Sequence, residues 1–118
     1  MNVQLNLVKD FHTKFKALIS EKPSLISPDR SSLRYRLMHD EVEEYLKGVE
    51  ENDLENIAKE LGDILYAVYG TIIEHGLQDQ MEAIFEEVHR SNMSKDYSPT
   101  KMIKGPNYRK ADIRQFFS

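Results

Sequence analysis

Apolar residues recur along most of the chain at the three- and four-residue spacing of amphipathic helices. The first such segment runs from Val3 to Ile19 and is broken by Pro23. A second helix begins after Ser27, which we expect to act as its N-cap, and runs to about Glu51. Because no segment alternates in the way that strands do, the pattern predicts an all-α fold.

Two further helices are predicted downstream. Asn52 and Glu55 resemble a capping box at the start of the third helix, and Gly76 is its natural stop. A fourth helix is predicted from Asp79 and fades near Ser94. Short links between helices favour antiparallel neighbours, so we predict a bundle of four to five helices.

The helical spacing is lost beyond the fourth helix, where Pro99 and Gly105 belong to turn signals. We therefore predict a single domain over residues 1–118, with a helical bundle at 1–95 and a C-terminal loop or tail at 96–118. A bundle of this size with many apolar helix positions gains from burying more surface against a partner. We expect a homodimer, with a homotetramer as the next alternative.

Composition and charge narrow the compartment and the partners. No apolar run approaches the roughly 20 residues of a membrane span, and the N-terminus lacks the pattern of a signal peptide. We therefore expect a soluble, cytoplasmic protein without a membrane partner. The net charge of −4 argues against a nucleic-acid partner. Because the chain has no Cys, carboxylates and His are the candidate metal ligands.

Two pairs of acidic residues stand on neighbouring predicted helices, Glu41 with Glu44 and Glu60 with Asp63. Residues three apart lie on nearly the same side of a helix, so each pair can present two carboxylates to one point. Four gathered acids repel each other unless cations neutralise them. Hard oxygen ligands select Mg²⁺, with Mn²⁺ as an alternative.

The direction of these acids on their helices favours an inward site. At about 100° per residue, Glu41 and Glu44 fall close to Leu33 and Leu37, so we expect both acids to face inward. Gly62, between the acids of the third helix, is expected to permit close approach of another helix. The alternative is that the acids belong to an ordinary solvated face.

Four segments extend the pattern beyond the acid pairs. They are Leu33-Arg34-Tyr35-Arg36-Leu37, Glu60-Leu61-Gly62-Asp63-Ile64-Leu65-Tyr66, Val88-His89-Arg90-Ser91-Asn92-Met93-Ser94-Lys95 and Lys104-Gly105-Pro106-Asn107-Tyr108. With the fifteen residues between the ExxE and ExxD pairs, they resemble the MazG-type all-α nucleoside triphosphate pyrophosphohydrolases, from about Phe11 to Ile113. The subgroup they resemble includes dimeric dUTPase-like members and borders the phosphoribosyl-ATP pyrophosphohydrolases.

The resemblance implies a site and a reaction. The implied metal ligands are Glu41, Glu44, Glu60 and Asp63. The implied catalytic residues are Asp40, as general base for the attacking water, and Glu41. The implied substrate contacts are Asn92, Lys95, Lys104, Asn107 and Tyr108. The expected Mg²⁺-dependent reaction converts a nucleoside triphosphate, such as dUTP, dCTP or an aberrant dNTP, to the monophosphate and pyrophosphate.

Two alternative functions stay open from the sequence. One keeps the chemistry and changes the substrate to phosphoribosyl-ATP. The other is a non-catalytic helical dimerisation or binding module whose acids hold no metal and which is indifferent to Mg²⁺. The preference for a role in clearing the dNTP pool rests on analogy with the family.

Overall fold

The computed structural model describes the chain from residue 2 to residue 117. These residues form four α-helices and one short 3₁₀ helix. The α-helices are α1 (Asn2–Phe15), α2 (Pro28–Glu50), α3 (Leu54–Glu74) and α4 (Met81–Met93), and the 3₁₀ helix is Arg114–Phe116. Strand pairing within the described residues is limited to one antiparallel bridge between Asp96 and Ile103. The predicted all-α fold is confirmed.

The described residues divide into two compact units. The first unit contains α1, α2 and α3 and ends at Gln78, and the second contains α4 and the C-terminal segment from Asp79 onwards. The predicted single domain, with its division at residue 95 into a bundle and a tail, stays a prediction. Its end residues Met1 and Ser118 lie outside the described residues.

The ends of α1 and α2 follow from local backbone chemistry. α1 ends at Phe15 rather than at Ile19, because Lys16 adopts the left-handed conformation with φ of 59°. Ser27 caps α2 as predicted, since its Oγ accepts a hydrogen bond from the Arg30 amide at 3.2 Å. Pro28 occupies the first helical position, where its missing N–H has no helical partner to lose.

The start of α3 corrects a prediction, and its end confirms one. The cap is Asp53, whose carboxylate accepts from the Asn56 amide at 3.1 Å, and not Asn52. Asn52 lies in the left-handed turn before the helix, with φ of 54°. Gly76 ends α3 as expected: its φ is 67°, and a Cβ there would collide with the carbonyl of Lys22.

The interior of the first unit mixes a small apolar core with buried charge. α3 packs against both α1 and α2. Among the described residues, the buried hydrophobic side chains are Leu5, Val8, Ile72 and Ile73. The buried charged or ionisable side chains in this unit are His12, Arg34, Glu60 and Glu74. Since buried polar groups must be satisfied, polar contacts at the helix junctions contribute much of the specificity of this packing.

Gly62 does not have the role that the sequence suggested within the chain. A Cβ at this position would find no atom within 4 Å. Instead, Gly62 borders an open apolar groove between α1 and α3, whose lining includes Leu7, Leu65 and Tyr69. The expected close helix approach at Gly62 is therefore absent among the described residues.

In the second unit, the C-terminal segment is tied to α4. Arg90 donates to both oxygens of Glu87, at 2.7 and 2.8 Å, and Glu87 also accepts from the Asp112 amide at 2.7 Å. α4 begins at Met81, two residues later than expected. Along the chain that the structure describes, none of the helices combines the length and apolar character needed to cross a membrane.

Candidate metal centre

Three carboxylates from two helices meet where α2 crosses α3. Glu41 comes from α2, and Glu60 and Asp63 come from α3. Each offers one oxygen, and these oxygens all lie within 4.8 Å of one another. The i, i+3 spacing brings Glu60 and Asp63 to the same side of α3. We call these three residues the acid cluster.

Burial makes the mutual repulsion of the acid cluster costly. Glu60 is only 6% exposed, and Glu41 and Asp63 are half-buried. Burial raises the pKa of the Glu41 carboxyl, and its hydrogen bond with Glu60 and the charge of Asp63 raise that pKa further. All of these causes disfavour a negative charge on Glu41 beside the other two acids.

Lys59 supplies a positive charge at the rim of the acid cluster. Its Nζ lies 2.7 Å from Asp63 Oδ2 and 3.6 Å from Glu60 Oε1. The hydrogen bond to Asp63 is the main cause of a raised Lys59 pKa. Because 68% of the Lys59 side chain is exposed, it compensates the acids only weakly. The sequence analysis missed Lys59, although its i, i+4 spacing to Asp63 was a usable signal.

The acid cluster fits a hard divalent cation. Three carboxylates face one partial countercharge, and all three donors are oxygens. Oxygens bound to one Mg²⁺ at about 2.1 Å stand about 3–4 Å apart, which is close to the spacing within the acid cluster. Zinc sites favour nitrogen and sulfur donors instead.

The other two acids predicted for the site lie outside the acid cluster. Glu44 is exposed, which corrects the expectation that it faces inward. The physical reason is that Leu37, in the same sector of α2, is itself 38% exposed, so this sector is only partly covered. The Asp40 side chain is 75% exposed, with His39 Nδ1 at 3.9 Å. Their roles as metal ligand and general base stay predictions.

A cavity of about 190 Å³ adjoins the acid cluster. Glu41 and Asp63 form part of its wall, together with the apolar side chain of Leu37. Phe11 and Tyr66 form an aromatic wall, with ring centroids 5.5 Å apart in an edge-to-face arrangement. The sequence analysis did not assign Phe11 or Tyr66 to a site, since each also fits an ordinary amphipathic helix. The cavity thus places an aromatic surface beside carboxylates.

The five predicted substrate contacts lie in the second unit. Asn92 is exposed in the last turn of α4, and Lys95 follows the helix. Lys104 Nζ lies 5.3 Å from the ring centroid of Tyr108, and Asn107 is exposed between them. The bridge between residues 96 and 103 closes the loop just before Lys104. All five belong to the second unit, and their contacts with substrate stay predictions.

Fold and site together define an all-α protein with a cluster of three carboxylates beside a cavity of about 190 Å³. The family described as phosphoribosyl-ATP pyrophosphohydrolase matches residues 8–92. The match spans both acid pairs and most of the chain, and the chain belongs to this family. The resemblance to the MazG-like all-α superfamily is thereby confirmed.

The chain is also similar to an uncharacterized protein of Acanthamoeba polyphaga mimivirus. The two are 32% identical over 85 residues. The matched region covers 70% of this chain and 34% of the relative, so the match extends over about a third of that longer protein.

Proposed function

We propose that the protein is a divalent-metal-dependent pyrophosphohydrolase that converts a nucleoside triphosphate to the monophosphate and pyrophosphate. The observation that carries the proposal is the meeting of Glu41, Glu60 and Asp63 at the edge of a cavity. Family membership supports the reaction class. The metal we propose is Mg²⁺, which Mn²⁺ can replace, and the substrate class is dUTP, dCTP or an aberrant dNTP.

In this mechanism Glu41, Glu60 and Asp63 hold the metal, with Glu44 as a fourth ligand. When bound, the metal supplies Lewis-acid chemistry, which lowers the pKa of water and neutralises phosphate charge. A carboxylate of the site, Asp40 or Glu41, accepts the proton of the attacking water. The water oxygen bonds to the α-phosphorus, the α–β anhydride bond breaks, and its electron pair leaves with pyrophosphate.

The cavity beside the acid cluster is the proposed place of the nucleobase. Phe11 and Tyr66 present aromatic surface, and Leu37 adds an apolar wall. The proposed contacts to phosphates and sugar are Asn92, Lys95, Lys104, Asn107 and Tyr108. Ammonium groups and amides suit these partners because they donate to phosphate oxygens and neutralise their charge.

We further propose that the protein works as a homodimer, with a homotetramer as the alternative. The support comes from the groove between α1 and α3, where Leu7 is 60% and Leu65 is 52% exposed beside the open face of Gly62. Apolar surface of this kind is commonly buried against another subunit.

The test is pyrophosphate release from a panel that contains phosphoribosyl-ATP and the canonical and modified NTPs and dNTPs, with Mg²⁺, with Mn²⁺ and with EDTA. We expect metal-dependent release that Glu41→Gln and Asp63→Asn reduce by about 100-fold or more. Glu43→Gln is the matched control, because Glu43 is an exposed acid of the same helix. Turnover of phosphoribosyl-ATP alone would assign the alternative substrate. Intact nucleotides and a melting temperature indifferent to Mg²⁺ would favour a binding module.

A further inference from the structure

Glu74 of α3 is a fully buried carboxylate in the first unit, away from the acid cluster. Its side chain has no exposed surface. Arg30 donates to Oε1 from Nε at 2.9 Å and to Oε2 from Nη2 at 2.6 Å. Arg34 donates to the same Oε2 from Nη1 at 3.1 Å. Two guanidinium groups of α2 therefore neutralise and satisfy one buried acid of α3.

Arg34 connects α2 to successive turns of α3. Besides Glu74, its Nε donates to Thr71 Oγ1 at 3.1 Å and its Nη2 to the carbonyl of Ala67 at 2.9 Å. The interval from Ala67 to Glu74 is seven residues, which corresponds to about 10 Å of helix. One rigid guanidinium thus fixes the position of α2 along α3.

Gly70 provides the space for this guanidinium. A Cβ at Gly70 would stand 2.5 Å from Arg34 Nη2 and 3.0 Å from His12 Nε2. His12 is itself buried on α1, and its Nδ1 is 2.9 Å from the carbonyl of Leu18. The three helices of the first unit therefore converge on Arg34 beside Gly70, where α3 has no side chain.

The contacts of Arg34 and the acid cluster belong to the same register of α2 against α3. Arg34 precedes Glu41 by seven residues on α2, and Glu60 precedes Ala67 by seven residues on α3. Both intervals are about two helical turns, and the two helices run in opposite directions. In this pairing Arg34 lies opposite Ala67, and Glu41 lies opposite Glu60. A slide of one turn, about 5.4 Å, would remove Glu41 from the cluster.

Two features of the helix pair constrain this register, namely the packing of Gly48 against Ile57 beside the connecting turn and the Arg34 network further along. The only buried residues of α2 are Arg34 and Gly48, so the helix docks without a fully buried apolar side chain. The acid cluster itself opposes close approach of the helices, because its members are like charges. A buried ion pair contributes little net stability but can specify a single arrangement, as a polar residue specifies register in coiled coils.

We propose that the network of Arg34, Glu74 and Thr71 is a positioning device that holds Glu41 in register with Glu60 and Asp63 for metal binding. Arg34 and Glu74 are positioning residues that act through the placement of α2. Because Arg34 also lines the cavity beside Glu41 and Asp63, the test measures metal binding without nucleotide. This inference rests on the proposed metal function of the acid cluster, and it adds that the affinity for the metal is set in part about two turns away.

The test measures binding of Mn²⁺ alone to the full-length chain, by electron paramagnetic resonance of the free ion, at a temperature well below each melting temperature. Arg34→Lys keeps the charge but loses the several N–H donors of the planar guanidinium. We expect it to weaken Mn²⁺ binding by about tenfold. Thr71→Val keeps the shape and loses one acceptor, and we expect a loss of about threefold. Saturating Mn²⁺ should restore most of the turnover of Thr71→Val, since the ligands are intact and Thr71 does not line the cavity.

Two control variants have matched chemistry outside the network. Arg36→Lys changes an exposed arginine of the same helix, whose Nη1 donates to Ser32 Oγ at 2.9 Å. Thr13→Val changes an exposed threonine of α1, whose Oγ1 donates to the carbonyl of Lys9 at 3.0 Å. Both should bind Mn²⁺ within about twofold of the native protein, because neither contact joins α2 to α3.

The outcomes separate the positioning role from the metal function. If the native protein bound no Mn²⁺, the proposed metal function would fail, and the positioning role with it. If the native protein bound Mn²⁺ and the folded Arg34→Lys and Thr71→Val variants bound it equally well, only the positioning role would be overturned. A lower melting temperature with native affinity would reduce the network to a fold stabiliser. Thr71→Val decides the matter if Arg34→Lys does not fold.

Discussion

Glu60 and Glu74 are both buried carboxylates on α3, and their surroundings differ. Glu74 is neutralised by two arginines. Glu60 has Lys59 Nζ at 3.6 Å and shares its site with two further acids. Glu74, with two guanidinium partners, is suited to a structural role. Glu60 lies in an excess of negative charge and is suited to binding an added cation.

Removing one charge from the acid cluster should stabilise the metal-free protein. Glu41→Gln removes repulsion with Glu60 and Asp63, so we expect a gain on the order of 1 kcal/mol, seen as a melting temperature several degrees higher in EDTA. We expect Mg²⁺ to stabilise the native protein and to stabilise Glu41→Gln much less. Glu43→Gln is the control. A Glu41→Gln variant that melted lower in EDTA and still responded fully to Mg²⁺ would contradict the account.

Glu87 predicts a pH dependence in the second unit. Its hydrogen bonds with Arg90 and then with the Asp112 amide lower its pKa from 4.5 to about 2. Because the folded pKa is depressed, these contacts stabilise the fold above pH 4.5, and that contribution is lost as the pH falls towards 2. Glu87→Gln should therefore lower the melting temperature at pH 7, with a difference from native that shrinks below pH 4.5.

The measurement is a series of thermal melts of both proteins from pH 7 downwards. The neighbouring exposed acid, Glu86, gives the control variant Glu86→Gln. A difference between Glu87→Gln and native that stayed constant across the whole pH range would show that the Glu87 charge plays no part.

At the scale of elements, the sequence predicted helices well because their signals are local. The cap at Ser27 and the stop at Gly76 depend on neighbouring residues alone, and both were confirmed. The misplaced cap at Asn52 reflects a left-handed backbone that composition does not specify. The partnership of Arg34 with Glu74, forty residues apart, depends on how two helices pair, which periodicity does not encode.

The candidate site was predictable only as far as its residues lie on one helix, because periodicity does not encode how helices pair. The i, i+3 rule correctly placed Glu60 and Asp63 together on α3. The pairing of α2 with α3 then selects Glu41, Glu60 and Asp63 and leaves Glu44 exposed. The effect of Lys59 on the acid cluster likewise depends on how α2 pairs with α3.

A side chain at Gly70 should disturb the packing of α2 against α3. Gly70→Ala adds a Cβ that would stand 2.5 Å from Arg34 Nη2, so the guanidinium must move. Alanine favours helix by about 1 kcal/mol, but overpacking costs about 1–3 kcal/mol, and displaced hydrogen bonds add to that cost. We expect a net loss of stability in urea unfolding.

A double-mutant cycle with Arg34→Lys isolates the cause. The lysine lacks the branched guanidinium that the new Cβ would meet, so the combined loss should be smaller than the sum of the two single losses. Strict additivity, or a stabilising Gly70→Ala, would contradict the role assigned to this contact.

At the scale of the whole molecule, the first unit leaves much apolar surface uncovered by the chain. Leu7 and Leu65 line the groove beside Gly62, and both are more than half exposed. Surface of this kind commonly marks an interface, and burying it in a symmetric pair would stabilise a small fold.

If the groove is the interface of the proposed homodimer, a charged residue in place of Leu65 should weaken dimerisation. Leu65→Glu should shift the protein towards monomer in size-exclusion chromatography with light scattering, because it would bury an unpaired carboxylate at the interface. Leu54→Glu is the control, since Leu54 starts the same helix and is 76% exposed. A native protein that ran as a monomer at micromolar concentration would refute the homodimer.

The proposed reaction is tested by ³¹P NMR of the products that the native protein and Asp63→Asn form from the best nucleotide of the panel. We expect nucleoside monophosphate and pyrophosphate from the native protein with Mg²⁺, and unchanged nucleotide with EDTA or with Asp63→Asn. Orthophosphate and nucleoside diphosphate as products, or equal turnover by Asp63→Asn, would contradict it.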